Sequence, residues 1–184
     1  LVDVDEATVE QVRRRYLLPE EFVLFVGTLE PRKNLRRLVD AVRRDEVTLP
    51  LVVAGAAGWG DLDLDGTDDV TFLGFVPDGD LAALYAAATV FAYPSEREGF
   101  GLPVAEAMAQ GTAVVTSAGT STEEVAGGAA ALVVPFDTDS IGRGVAEADD
   151  RRPRREVVVP RRGRARGWAG VEVRTVAGSG ERAG

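Results

Sequence analysis

Short runs of wholly apolar residues alternate along this chain with stretches whose apolar residues recur at helical spacing. Residues 22–26 (FVLFV) and 51–54 (LVVA) contain no polar side chain, which is typical of strands covered on both faces of a parallel sheet. Between them, residues 35–44 place leucines and valines on one side of a helix. This alternation predicts an α/β domain, a doubly wound, Rossmann-like parallel sheet.

The same two patterns recur as far as residue 150. Strands are predicted at residues 22–26, 51–54, 70–73, 90–93, 113–116 and 131–134. Helices are predicted at residues 5–18, 35–44, 80–87, 103–109, 122–126 and 139–148. Such sheets bind ligands beyond the carboxyl ends of their strands, so the candidate binding loops follow Val26, Ala54, Leu73, Tyr93 and Thr116.

The distribution of charge divides the chain into two parts. Residues 1–150 form the predicted domain, whereas residues 151–184 carry 10 of the 21 basic residues. This basic tail lacks helical or strand periodicity outside residues 157–159, so we expect it to be disordered or loosely packed. Its other interpretations are a basic arm for a membrane or nucleic acid, and a segment altered by a disturbed reading frame.

The composition excludes several classes of chemistry. The chain contains neither Cys nor His, which rules out disulfides, thiolate nucleophiles, Ser-His-Asp triads and the usual zinc ligands. A net charge of −9 argues against a nucleic-acid partner. No apolar run approaches the roughly 20 residues that span a bilayer, and no basic, apolar leader opens the sequence, so we expect a cytoplasmic location.

Lys33 is the single lysine among 21 basic residues, and it follows Arg32. Both lie in residues 27–34 (GTLEPRKN), which join the first predicted strand to a helix. The free N–H groups and dipole of a helix N-terminus favour an anion, so the sequence predicts a phosphate site here. The alternative is a solvated basic pair beside an asparagine cap.

Two carboxylates, Glu98 and Glu106, flank the start of the helix predicted after the fourth strand. Gly99 and Gly101 allow a ligand to approach the backbone, and Pro103 fits the first turn of a helix. Because a carboxylate accepts hydrogen bonds, the pair suits a hydroxyl-rich ligand such as a sugar. The alternative is a solvated loop acid followed by a carboxylate that stabilises the helix dipole.

Residues 94–112, in which seven residues separate Glu98 from Glu106, resemble the E-x7-E motif of retaining glycosyltransferases of the GT-B fold, family 4. Residues 27–35, 72–77 and 119–127 resemble further segments of this family in the same order. The resemblance covers residues 20–148 and implies the carboxyl-terminal, nucleotide-sugar-binding half of a two-domain enzyme. The missing partner would be an amino-terminal, acceptor-binding domain.

The resemblance also implies roles for individual residues. Lys33 and Arg32 would hold the diphosphate and, with Glu98 on the sugar hydroxyls, form the catalytic set, while Glu106 would bind the ribose. The base would lie against Gly74, Phe75 and Val76. The remaining implied donor-binding residues are Gly27, Thr28, Gly99, Phe100, Gly101, Leu102, Pro103 and Val104. Many relatives have Arg where this chain has Thr28.

The implied reaction moves a hexose from a nucleoside diphosphate to an acceptor hydroxyl with retention, in bacterial polysaccharide or glycolipid synthesis. No cofactor or metal is expected; residues 61–66 copy the start of an EF-hand loop, but its twelfth position is Phe72 instead of Glu. We expect the isolated chain to be inactive, and any peripheral contact with the inner membrane face to be made by the missing half. The alternatives are a non-catalytic nucleotide-sugar-binding module and a sugar-nucleotide epimerase.

Overall fold

The computed structural model describes residues 4–56, 70–151, 155–156 and 174–175 of the chain. The chain divides into two units, residues 1–150 and 151–184. In the second unit, strand β7 (Arg155–Glu156) pairs antiparallel with strand β8 (Arg174–Thr175). The prediction for residues 61–66 and those for the rest of the basic tail lie outside the described residues.

In the first unit, six parallel strands form one sheet in the order β3-β2-β1-β4-β5-β6. These strands are β1 (Val23–Val26), β2 (Leu51–Ala54), β3 (Thr71–Gly74), β4 (Val90–Tyr93), β5 (Ala113–Ser117) and β6 (Ala131–Val133). Each begins and ends within a residue of its predicted position. The predicted doubly wound parallel sheet is therefore confirmed.

Six helices accompany the sheet: α1 (Glu6–Tyr16), α2 (Leu35–Val42), α3 (Asp78–Ala87), α4 (Leu102–Ala109), α5 (Ser121–Ala126) and α6 (Thr138–Asp150). The helix α1 begins where Asp5 accepts a hydrogen bond from the Thr8 amide at 2.8 Å, and ends where Leu17 turns left-handed with φ 51°. That turn makes α1 shorter than predicted. Within the described ranges, no helix is long and apolar enough to cross a membrane.

The two-sided apolar runs lie at the centre of the core. Phe22, Leu24 and Phe25 on the first strand and its approach are fully buried, as are Val90 and Phe91 on β4. Helix α2 packs with α6, whereas α1 packs with α3 and α3 with α4. Each fully buried side chain of this size stabilises the fold by roughly 1.5–3 kcal/mol, so the central strands hold their carboxyl ends in fixed positions.

Glycines at the carboxyl edge continue the strand ladder into the loops. The Gly27 amide donates to the carbonyl of Ala54 at 2.9 Å, and the Gly55 amide donates to the carbonyl of Gly74 at 2.8 Å. A Cβ atom on Gly55 would lie 1.8 Å from the Gly27 carbonyl oxygen. The first two strands can therefore approach this closely at the edge only because residue 55 has no side chain.

Gly55→Ala should lower the free energy of unfolding by about 2 kcal/mol or more, because the new methyl group meets backbone atoms that cannot rotate away. Denaturant unfolding of the purified chain measures this. Gly79→Ala is the matched control: residue 79 lies near the start of α3 with nothing within 4 Å of an added Cβ. That change should be neutral or slightly stabilising, and an equal loss in both variants would contradict the steric explanation.

Candidate functional site

The strands β1 and β4 are neighbours in the sheet, but their chains leave in opposite directions. The chain from β1 leads to β2, and the chain from β4 leads to β5 on the other side. Right-handed connections then place α2 and α4 on opposite faces of the sheet. Such a switch point opens a crevice beyond the carboxyl ends of the two strands, where ligands bind in folds of this kind.

The chain after β1 carries its two cations on a short 3-10 helix, Pro31–Lys33, immediately before α2. Asn34 separates the two helices with a left-handed φ of 62°. The buried side-chain amide of Asn34 donates to the carbonyl oxygens of Pro94, at 2.9 Å, and Pro135, at 2.6 Å. The cation-bearing loop is thereby fixed to the segments that follow β4 and β6, a constraint that the sequence pattern did not reveal.

Glu98, which follows β4, meets both cations. Its Oε1 atom lies 2.7 Å from Lys33 Nζ, and its Oε2 atom lies 3.1 Å from Arg32 Nη1. The side chains of Lys33 and Glu98 are only 9% and 8% exposed, whereas Arg32 is 41% exposed. The structure thus brings together the three residues that the sequence analysis expected to be catalytic.

Tyr93, the last residue of β4, completes this cluster and was not predicted as a site residue. Its hydroxyl donates to Glu98 Oε1 at 3.0 Å and accepts a hydrogen bond from Lys33 Nζ, which also lies 4.9 Å from the ring centroid. Burial by itself would raise the pKa of Glu98, but hydrogen bonds from Lys33, Ser95 and Tyr93 and the lysine charge outweigh it, so that pKa lies below its usual value. A tyrosine at the carboxyl end of a buried strand was the available sequence signal.

Thr28 acts on this cluster through a second carboxylate, Glu30. The Thr28 hydroxyl donates to Glu30 Oε1 at 2.7 Å, while Glu30 Oε2 lies 2.8 Å from Arg32 Nε. The hydrogen bond from Thr28, together with the charge of Arg32, lowers the pKa of Glu30 despite its partial burial. Arg32 is consequently held between two carboxylates, and Thr28 orients one of them.

The turn before α4 offers fewer backbone donors than the sequence analysis expected. Gly101 has φ 93°, and a Cβ there would lie 2.6 Å from the Thr122 methyl carbon, so only glycine fits. Pro103 carries no N–H group, and the Val104 amide donates to the Gly101 carbonyl at 3.0 Å. Any backbone contact with an anion in this segment therefore comes from residues 99–102.

Glu106 is exposed on α4. Its described hydrogen bond is made outside the ion-pair cluster. Its Oε2 atom accepts a hydrogen bond from the hydroxyl of Tyr85 on α3 at 3.0 Å. Tyr85 is 1% exposed and was not predicted as a site residue. Glu106 thus has one oxygen engaged by a buried neutral donor.

The loop after β3 presents an aromatic ring. Gly74 has φ 68°, the Phe75 side chain is 74% exposed, and Val76 is buried in the core. Phe100 and Leu102, which flank the turn before α4, are also exposed. Of the predicted base-contacting residues, Phe75 is the one whose side chain can stack on a planar ligand, whereas Val76 supports the loop from beneath.

Comparison with known proteins shows the family of this chain. Residues 9–161 match the family described as "Glycosyl transferases group 1". The chain belongs to this family. This group 1 domain is 40% identical over 162 residues to the O-antigen chain mannosyltransferase B of Escherichia coli, a match that covers 82% of this chain and 42% of that protein.

Solved structures support the fold of this group 1 domain. Sucrose-phosphate synthase from Thermosynechococcus elongatus matches with a TM-score of 0.64 and 30% identity, covering 75% of this chain and 39% of that one. HepE from Anabaena, solved with UDP and glucose, matches with a TM-score of 0.68 and 24% identity over 78% of this chain and 43% of that one. The chain therefore spans less than half the length of these relatives.

Glu98→Gln should lower the free energy of unfolding at neutral pH by about 1–3 kcal/mol, because it leaves the buried Lys33 without its counter-charge. The pKa of Glu98 is lowered in the folded state. The stabilisation should therefore be complete above the unfolded-state pKa of a glutamate, about 4.3, and be lost as the pH falls through the lower folded-state pKa.

Urea unfolding of both proteins across the acid range measures this difference, which should narrow at the lowest pH. Glu10→Gln is the control, because Glu10 forms an exposed pair with Arg14 on α1 and such pairs contribute little. A Glu98→Gln protein as stable as the original at neutral pH would contradict the role of the ion pair.

Proposed function

We propose that this domain binds the donor of a retaining glycosyltransferase of family 4, which transfers a hexose from a nucleoside diphosphate to an acceptor hydroxyl. The observation that carries the proposal is the meeting of Lys33, Arg32 and Glu98 at the switch point between β1 and β4. Two cations beside a carboxylate suit a ligand that joins a diphosphate to a polyhydroxylated ring.

The cations have a role in both binding and reaction. As the bond to the sugar breaks, negative charge develops on the diphosphate, and Lys33 and Arg32 stabilise it. The acceptor oxygen bonds to the anomeric carbon on the same face of the sugar, and an oxygen of the departing diphosphate accepts the proton of that hydroxyl. This route requires no histidine base, in keeping with a chain that contains none.

The two glutamates select different parts of the donor in this proposal. When the diphosphate takes Lys33 and Arg32, the carboxylate of Glu98 becomes free to accept hydrogen bonds from sugar hydroxyls. Glu106 uses the oxygen not engaged by Tyr85 to accept from the ribose hydroxyls. The exposed ring of Phe75 stacks on the base.

The relatives suggest the class of sugar. The name of the Escherichia coli relative specifies mannosyl transfer to an O-antigen chain, and the HepE structure holds UDP and glucose. A hexose donor used in bacterial polysaccharide synthesis fits both. Because the chain spans 42% of the Escherichia coli relative, we propose that a further domain binds the acceptor and that residues 1–184 alone bind donor without transferring sugar.

Calorimetric titration with UDP, GDP, ADP and their nucleosides tests the phosphate site. The chain should bind one diphosphate more tightly than its nucleoside, and Lys33→Ala should remove most of that difference because the ammonium contacts phosphate. Raising the salt concentration should narrow the difference, since partly exposed charges are screened over about 8–10 Å. Arg36→Ala, which removes a half-exposed cation paired with Asp40 on α2, should leave the difference unchanged.

The same titration tests whether a metal takes part. Within residues 4–56 and 70–151, no three acidic side chains lie close enough together to hold a metal ion. We propose metal-independent binding, for which added EDTA leaves the diphosphate affinity unchanged. Equal affinity for nucleoside and diphosphate, or a strict magnesium requirement, would contradict this form of the proposal.

Substitution of the two glutamates should change ligand binding in different ways. Glu98→Gln should abolish the preference for the sugar nucleotide over the free diphosphate, and the affinity for the diphosphate should be retained or raised, because a competing anion is removed. Glu106→Gln should weaken both ligands alike. Each loss should be about ten- to a hundredfold, as for a charge-assisted hydrogen bond, and identical profiles for the two variants would overturn the assignment.

A non-catalytic nucleotide-sugar-binding module and a sugar-nucleotide epimerase of the same fold remain as alternatives. Joining the domain to the acceptor-binding half separates them from the transferase. Transfer that gives an α-linked product from an α-linked donor supports the proposal. Binding without transfer favours the module, and interconversion of two sugar nucleotides favours the epimerase.

A further inference from the structure

All three tyrosines of this chain place their hydroxyl groups against carboxylates. Tyr16 on α1 donates to Asp80 Oδ2 at 2.7 Å. Tyr85 donates to Glu106 Oε2 at 3.0 Å, and Tyr93 donates to Glu98 Oε1 at 3.0 Å. Tyr85 and Tyr93 therefore each donate a hydrogen bond to one of the two glutamates of the E-x7-E spacing.

These two tyrosines belong to one buried aromatic cluster. Tyr85 and Tyr93 are 1% and 0% exposed, and Phe91 lies between them. The Phe91 ring meets Tyr85 edge-on at 5.3 Å and stacks on Tyr93 at 5.7 Å. Rings held in this way cannot change rotamer without disturbing the core, so the positions of the two hydroxyls are fixed by packing.

Both hydroxyls are neutral donors. Burial raises the pKa of Tyr85 and of Tyr93, and the neighbouring carboxylates raise it further. Each phenol therefore keeps its proton at neutral pH and donates it to a glutamate. Lys33 and Arg32 are attracted by a phosphate as well as by the carboxylate. A neutral tyrosine hydroxyl has no charge that would draw it from the carboxylate to a phosphate.

That difference matters when a diphosphate enters. Lys33 and Arg32 contact Glu98, but both are the groups to which a diphosphate binds in the proposed function. When they turn to phosphate, the Tyr93 hydroxyl still donates to Glu98. Glu106, exposed on α4, would sample several rotamers without the hydroxyl of Tyr85.

We infer that Tyr93 and Tyr85 are positioning residues, which hold Glu98 toward the donor sugar and Glu106 toward the ribose. The inference rests on the proposed function and extends it to two residues that do not themselves touch the donor. Loss of one hydroxyl should therefore impair recognition of one part of the donor and leave recognition of the other part intact.

Three Tyr→Phe variants test the inference, each removing one hydroxyl and no ring. Calorimetry with UDP, GDP, UDP-glucose, GDP-mannose and the 2′-deoxy forms of the two diphosphates gives two ratios. The sugar ratio compares each sugar nucleotide with its diphosphate, and the ribose ratio compares each diphosphate with its 2′-deoxy form. Tyr93→Phe should lower the sugar ratio about three- to tenfold and leave the ribose ratio unchanged.

Tyr85→Phe should do the reverse, lowering the ribose ratio by a similar factor and leaving the sugar ratio unchanged. Tyr16→Phe is the matched control and should change neither ratio, because the hydroxyl it removes bonds Asp80 outside the proposed site. Thermal unfolding of all three variants reports any general destabilisation.

Wild-type ratios in both Tyr85→Phe and Tyr93→Phe, together with altered ratios in Glu98→Gln and Glu106→Gln, would overturn this inference and leave the proposed function standing. Uniform weakening of every ligand with a lowered melting temperature would also overturn it, because the hydroxyls would then be merely structural. A wild-type chain that binds no diphosphate would overturn the proposed function and this inference with it.

Discussion

The ion pair between Lys33 and Glu98 joins the loops that follow the neighbouring strands β1 and β4. From these loops the chain continues in opposite directions across the sheet. Its charges are 2.7 Å apart and more than nine-tenths buried, a situation in which either charge alone would be strongly destabilising. The loops after β1 and β4 must therefore keep their positions relative to each other. Asn34 adds a neutral constraint by donating to the carbonyl of Pro94, just beyond β4.

The negative net charge of the chain makes a site with two cations unusual. The chain has a net charge of −9, and residues 45–96 contain no basic side chain. An acidic surface repels polyanions, so a crevice that gathers Lys33 and Arg32 is distinct from its surroundings. Glu98 neutralises those cations, so an anion that binds them, as proposed, would exchange one set of charge contacts for another.

Two kinds of hydrogen-bond donor surround the glutamates, and they have different origins in the fold. Lys33 and Arg32 lie on the short 3-10 helix of the loop after β1, where Arg32 is the more exposed of the two, whereas Tyr85 and Tyr93 belong to the packed core. The core thus fixes the neutral donors, and the loop carries the charged ones. In the proposed function, the loop supplies the contacts to phosphate and the core orients the two glutamates.

The amino-acid sequence by itself determined which segments form strands and helices, because wholly apolar runs such as residues 51–54 can be satisfied only inside a sheet covered on both faces. It also singled out Lys33 and Glu98, through the rarity of lysine and the spacing of the glutamates. Local details were less predictable: α1 ends early at the left-handed Leu17, and the cations lie on a 3-10 helix.

Only the tertiary structure decided which loops meet. The order of parallel strands depends on how helices pack over both faces, and no local pattern encodes it. The partners of the site are consequently far apart in sequence: Lys33 and Glu98 are separated by 65 positions, and Tyr85 and Glu106 by 21. Tyr85 and Tyr93 were not predicted as site residues, and only packing places their hydroxyls against carboxylates.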